Sequence, residues 1–139
     1  MLKQKIKCHR IGMTYEKPHF FILSKGNNSG KPLPEYCANC FVFIADSDEE
    51  RWHYFYLFYG LWEGSYFKRF LTGSVISFIR IDDLITIASQ AASKVSHNPN
   101  EYKSYVDYIG QLDKHSDNLK KQIDLIKQMK KAMLYKIIR

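Results

Sequence analysis

Between Trp52 and Phe70 lie ten of the chain's 21 aromatic residues, and no other segment has enough apolar bulk to seed a core. The run is introduced by Ser47-Asp48-Glu49-Glu50, which has the form of a capping box. The Ser47 hydroxyl is placed to accept the Glu50 amide, and the Glu50 carboxylate to reach back to the Ser47 amide. Three acids in the first turn also suit the positive end of a helix dipole, so a helix is expected to start at about residue 48. Trp52, Phe55, Tyr59, Trp62, Tyr66 and Phe70 recur at steps of three and four, which predicts a buried stripe widened by Leu57, Phe58 and Leu61. Gly60 and Gly64 are expected either to break the run into two helices or to allow close packing. Core packing is the reading preferred for these rings over a base-stacking platform, because stacking rings usually sit on an open sheet or loop.

A chain of 139 residues forms one domain, or one domain with an appended helix. The net charge of +7 favours an anionic partner, such as nucleic acid, a membrane surface or an acidic protein. The charge is uneven. Residues 1–45 carry seven Lys/Arg against two acids, residues 46–99 five against seven, and residues 100–139 nine against five. A polyanion should therefore meet the flanks of the aromatic centre. No membrane span is expected, since no stretch approaches the necessary length of uncharged apolar residues. The N-terminus lacks the apolar run of a signal peptide, and three cysteines do not make a disulfide framework. A cytoplasmic, reduced protein is expected.

Ahead of the aromatic run, Lys3–Tyr15 alternates loosely and predicts a strand that slips near Arg10–Gly12. Glu16-Lys17-Pro18 reads as a turn, and His19–Ser24 as the second strand of a hairpin. Lys25–Pro34, KGNNSGKPLP, is a loop. It departs from a phosphate-binding P-loop, having three residues rather than four between Gly26 and Gly30, and Pro32 where Ser or Thr would follow the lysine. Cys37-Ala-Asn-Cys40 leads into a strand at Phe41–Ala45. A zinc site would need Cys8 and His9 as further ligands, and a redox pair would need a βαβ context that is missing. The preferred reading leaves Cys40 a buried strand residue and Cys37 a loop residue, with no metal and no cofactor.

After the aromatic run, Thr72-Gly73-Ser74 predicts a turn, Val75–Ile81 a strand, Asp82-Asp83 a turn or short helical start, and Leu84–Ala88 another strand. Ser89–Asn100 is small and polar, and reads as a linker. The last element is a long helix from about Glu101 to Ile137. Its heptad d positions are Tyr105, Leu112, Leu119, Ile126 and Met133. Its a positions are Tyr102, Ile109, Ser116, Ile123, Lys130 and Ile137. Mostly apolar a and d positions over four to five heptads signal a coiled coil about as well as an amphipathic helix packed on its own domain. If the seam is used, Ile109, Leu112, Leu119, Ile123, Ile126, Met133 and Ile137 are its oligomerisation residues, in a homodimer or with a helical protein partner.

The expected architecture is α+β. A small mixed or antiparallel sheet packs on an aromatic-rich helix pair, within a globular region at residues 1–95, and a coiled-coil-like helix follows at 101–139.

Three segments together resemble the DNA specificity subunits of type I restriction–modification systems: YFYLFYGLWEGSYFKRFL, then GSVISFIRIDDLITI, then QIDLIKQMKKAMLYKII. In that family an aromatic helix pair closes a target-recognition domain, a "GS…I…I…DL" turn–strand–turn follows, and a long helix ends in an "IDLLKQLKKALLQKL"-like run. The resemblance covers about half the chain and leaves KGNNSGKPLPEYCANCFVF without a counterpart. It implies a module that binds double-stranded DNA, reduced to a single half and able to rebuild the full subunit by homodimerising through the helix. The expected contacts are Lys25, Asn27, Asn28, Lys31, Lys68, Arg69 and Arg80, with Lys and Arg on phosphates or guanine and Asn on adenine. An enzyme is not expected. Glu101-Tyr102-Lys103 has the E-x-K spacing of a nuclease, but no Asp-bearing strand stands beside it to complete a Mg²⁺ site. The alternative expectation is a non-catalytic assembly module acting through the C-terminal helix.

Overall fold

The computed structural model describes all of residues 1–139. It divides into two compact units, Met1–Pro99 and Asn100–Arg139. The first is an α+β unit. Its strands β1 (Ile6–Cys8), β2 (His19–Leu23), β3 (Pro32–Leu33) and β4 (Cys40–Ile44) form one antiparallel sheet in the order β1-β4-β2-β3. Helix α1 (Leu2–Lys5) precedes β1, α2 spans Asp48–Glu63, a 3₁₀ turn spans Lys68–Phe70, and α3 spans Ile81–Val95. Helix α4, Pro99–Ile138, makes up nearly all of the second unit.

β2 and β4 are near-continuous apolar runs, HFFIL and CFVFI, because both of their faces are covered. On one face Phe20 and Phe43 stack at 4.9 Å, and Phe58 of α2 meets both rings edge-on. Phe67 stacks on Phe58 from the turn beyond α2. These four rings are almost wholly enclosed and form the centre of the core. On the other face Phe21, Cys40 and Val42 make a smaller cluster, covered by Tyr15, Leu33 and Cys37.

The register of the sheet corrects the expected first hairpin. β1 pairs with β4 rather than β2, with Ile6 opposite Phe43, and β4 lies between them. β2 and β4 are the two most apolar strands, and pairing them centrally buries both faces of each. The alternation seen from Lys3 onward is not one strand: Leu2–Lys5 is helical, and only Ile6–Cys8 joins the sheet. The hairpin that does form joins β2 to β3 across residues 24–31.

Helix α2 starts where its cap predicts. The Glu50 amide donates to Ser47 Oγ at 3.1 Å. The Glu50 carboxylate, however, accepts from the Asp46 amide at 3.1 Å, one residue earlier than a capping box requires. Glu50 also pairs with Lys5, which bonds Asp46 at 2.9 Å, so α1 is tied to the start of α2. These hydrogen bonds hold the Lys5 ammonium above its ordinary pKa and, with Lys17, hold the Asp46 carboxyl below its own. Gly60 neither breaks the helix nor lies against anything, and α2 ends at Gly64.

The buried face of α2 is made by the residues expected to widen the stripe, not by the stripe itself. Leu57, Phe58 and Leu61 are buried, with Phe58 against the sheet, whereas Trp52, Tyr66 and Phe70 are exposed and Phe55, Tyr59 and Trp62 are half-buried. At about 100° per residue the stripe lies roughly a third of a turn away from the buried side. The helix is apolar nearly all round, so its own pattern could not select a face; the sheet did.

Two expected strands are also absent. Residues 71–80 form a loop with isolated bridges from Phe78 to Thr72 and to Lys25. Leu84–Ala88 is the middle of α3, which runs through much of the expected linker. Leu84, Ile87 and Ala88 face inward at helical spacing, so period-two alternation was the wrong reading of a short apolar run. The turn–strand–turn of the resemblance is thus a loop and the start of a helix here.

Candidate functional site

Helix α4 runs unbroken for 40 residues and contains no buried residue. Every side chain from Gln111 to Arg139 is exposed. Along the seam Leu112 is 66%, Leu119 45%, Ile123 52%, Ile126 56%, Met133 64% and Ile137 78% exposed, and Ile109 is half-buried. The predicted oligomerisation residues therefore lie on one uninterrupted helix, on a face that the helix's own unit leaves uncovered. Leu125, Tyr135 and Ile138 are exposed away from that seam.

A second surface is built where two loops meet. The Gly26 amide donates to the Ser77 carbonyl at 2.6 Å, and the Ile79 amide to the Ser24 carbonyl at 3.0 Å. Gly30 adopts φ +95°, and a Cβ there would sit 2.2 Å from the Phe67 ring. Only glycine fits both that conformation and that contact. Loop 24–31 is thereby held against the turn bearing Lys68 and Arg69 on one side and the strap leading to Arg80 on the other. Within it, Ser29 is buried and its hydroxyl donates to the Gly26 carbonyl at 2.6 Å.

Lys25, Asn27, Asn28, Lys68, Arg69 and Arg80 are exposed on these adjoining segments. Lys31 is half-buried, with its ammonium 4.7 Å from the Trp62 ring centroid. Lys5, Lys17 and Arg51 are paired with carboxylates, those of Asp46, Glu50 and Asp48. Backbone pairing brings the segment of Lys25 beside the strap that leads to Arg80, and the Gly30–Phe67 contact sets the same loop beside the turn of Lys68 and Arg69. Val75 and Ile76 of the strap are both exposed.

Two features escaped the sequence reading. The outer flank of α2 carries a row of rings in contact, Trp52–Tyr56–Tyr59–Trp62, with Arg51 over Trp52 at one end and Lys31 over Trp62 at the other. Trp52, Tyr59 and Trp62 belong to the stripe expected in the core, and the structure leaves Trp52 exposed and Tyr59 and Trp62 half-buried. The second feature is an open cleft of about 660 Å³ on the far side of the sheet, lined by Met13, Tyr15, His19, Phe21, Glu35 and Tyr36. His19 Nδ1 lies 2.8 Å from the Lys17 carbonyl, which can only accept, so the neutral ring keeps its Nε2 unprotonated. His9 Nδ1 lies 2.9 Å from the Tyr15 hydroxyl. No sequence spacing forecasts this cleft, because its lining comes from three separate segments, residues 13–15, β2 and residues 34–36.

The cysteines are all free. Cys8 is exposed, Cys37 half-buried and Cys40 buried. The Cys40 thiol donates to the Cys37 carbonyl at 3.2 Å, and burial pushes its pKa up. No three His, Cys, Asp or Glu side chains converge in an arrangement suited to a metal ion. No helix is long and apolar enough to cross a membrane.

No curated protein and no solved structure matches this chain. One family model does, over residues 6–136, which takes in the sheet, α2, α3 and nearly all of α4. The chain accordingly belongs to DUF6943, a family of unknown function.

Proposed function

We propose that this protein is a non-catalytic assembly module that pairs through α4 with a helix of another chain. One observation carries the reading: a 40-residue helix with no buried residue displays an apolar a/d seam. An isolated helix in water gains little from propensity, and most helical stability comes from packing an apolar face. Exposed apolar surface of this extent marks an interaction site. Four to five heptads offer a partner helix the knobs-into-holes contacts of a coiled coil. The seam variant L112N/I123N/I126N tests the reading. In extract of cells that make the protein, the unaltered chain should elute in an assembly larger than a monomer and the variant as a monomer. Elution of both at monomer size would sink the proposal.

A second reading, nucleic-acid binding, is favoured by the meeting of Lys25, Lys31, Lys68, Arg69 and Arg80 on adjoining segments. Lys and Arg there would neutralise phosphates, and Asn27 and Asn28 would reach base edges. It is this surface that the resemblance to DNA specificity subunits bears on. Affinity for duplex DNA should fall steeply between 50 and 200 mM salt. The K25Q/K68Q/R69Q/R80Q variant should flatten the salt dependence by about three to four charges' worth. Absence of binding at 50 mM salt would end this reading.

A further inference from the structure

The charge of α4 is divided along its length. Residues 99–118 carry two lysines against four acids, and residues 119–139 carry seven Lys/Arg against one Asp. From this division and the heptad positions we infer that the helix seats a second copy of itself, antiparallel, with the two-fold axis passing between Asp117 and Asn118. The inference rests on the assembly reading above and adds the partner and its direction.

The core layers distinguish the two directions. In an antiparallel pair each a position faces a d position of the other helix. Centred at 117/118, Ile109 meets Ile126, Ile123 meets Leu112, and Tyr102 meets Met133. The two polar a residues are accommodated as well: Ser116 faces Leu119, and the Lys130 ammonium faces the Tyr105 ring, a cation–π arrangement. In a parallel, in-register pair Lys130 would face Lys130 across the seam, Ser116 would face Ser116, and seven cations would lie beside seven.

The flanking positions agree. With the same centre, Glu101 lies across from Lys136 and Asp113 from Lys120, each occurring twice by symmetry. Tyr108 meets Met129 alongside them, extending the apolar contact beyond the a/d seam. In the parallel register the flanking pairs are Glu101–Val106, Tyr108–Asp113, His115–Lys120, Gln122–Lys127 and Met129–Leu134, and none joins opposite charges. Electrostatic pairing at these positions sets partner choice and orientation in coiled coils. One register therefore satisfies both the seam and its flanks. The acidic half of each helix covers the basic half of the other, so part of the positive charge of residues 119–139 is offset within the dimer.

Light scattering of the purified full-length chain should give a dimer. A spin-label side chain incorporated at position 135 reads the direction. Antiparallel helices put the two labels about 55 Å apart, from a rise of about 1.5 Å per residue, and parallel helices about 20–30 Å apart. Charge exchange gives an independent reading. E101K/D113K and K120E/K136E should each self-associate about tenfold or more weakly, and an equimolar mixture should recover the original affinity as a heterodimer. A dimer with the short distance, or a mixture that does not recover, overturns the antiparallel pairing and leaves the assembly reading intact. A purified chain that is monomeric, or that forms trimers or higher oligomers, overturns the inference as well. The elution of the chain in cell extract then decides separately whether α4 pairs with a different protein.

Discussion

Residues 1–99 and residues 100–139 both spend heavily on apolar side chains, with opposite results. In the first unit Phe20, Phe43, Phe58 and Phe67 interlock between a sheet and a helix, and all four are removed from water. In the second, Leu112, Leu119, Ile123, Ile126 and Met133 follow an equally regular pattern and remain exposed. Periodicity states that a face will be covered, not what covers it. For β2 and β4 the cover is local to the unit; the apolar face of α4 stays exposed. The same contrast separates the two basic regions. Cations of the loop confluence are assembled by tertiary contacts, whereas those of residues 119–139 are carried by a single helix.

The sharpest way to break this comparison is to truncate one side chain in each unit. Phe58→Ala should cost about 3–5 kcal/mol of unfolding free energy, because the ring contacts Phe20, Phe43 and Phe67 at once. Ile126→Ala should leave the denaturant midpoint of the globular unit within about 0.5 kcal/mol while lowering the concentration-dependent stability of any α4 assembly. Equal losses from the two substitutions, measured by chemical denaturation, would show that α4 is covered within its own chain.

Gly30→Ala should be nearly as damaging as the Phe58 change. It combines a left-handed conformation with a Cβ inside the Phe67 ring, for about 2–4 kcal/mol. Denaturation should show that loss. Hydrogen exchange should rise at the Gly26 and Ile79 amides, which bind the two loops together. A neutral substitution would mean that the loop confluence is not held as described.

Smaller effects probe the junction between α1 and α2. Ser47→Ala removes the acceptor of the Glu50 amide and should cost about 1 kcal/mol in thermal or chemical unfolding. The acid limb follows from Asp46, whose folded pKa lies below its ordinary 3.8. Its contribution is complete above that value and is lost as pH falls through the depressed one. Lys5, held above 10.5, contributes fully below that value and loses its contribution as pH rises through the raised one. Lys5→Met should flatten both limbs of the stability profile; an unchanged profile would remove the cluster from the account.

Much of the fold was legible because it rests on local signals. The Ser47 cap, the apolar runs at His19–Leu23 and Cys40–Ile44, the glycine-rich loop and the long heptad helix each declare themselves within a few residues. What failed was whatever depended on a partner distant in sequence. Val75–Ile81 and Leu84–Ala88 looked like strands because short apolar runs do not distinguish period two from period 3.6. The aromatic row of α2 was assigned to the core because a helix apolar on all sides offers no direction until a sheet supplies one. The candidate basic residues were identifiable as charges, but their meeting was not, since it depends on Gly26 and Ser24 pairing with the strap at 77–79.

By itself, then, the sequence determined the elements whose causes are short-range: helix starts, apolar strands, the basic loop, and the apolar seam and charge division of α4. Only the tertiary structure decided which strand lies between which, which flank of α2 faces water, and that the loop at 24–31 lies against the strap at 77–79. The physical reason is one of range. Capping, propensity and periodicity act within a turn or two of the chain. Burial is a contest among all the apolar faces present, and it is settled only when they pack.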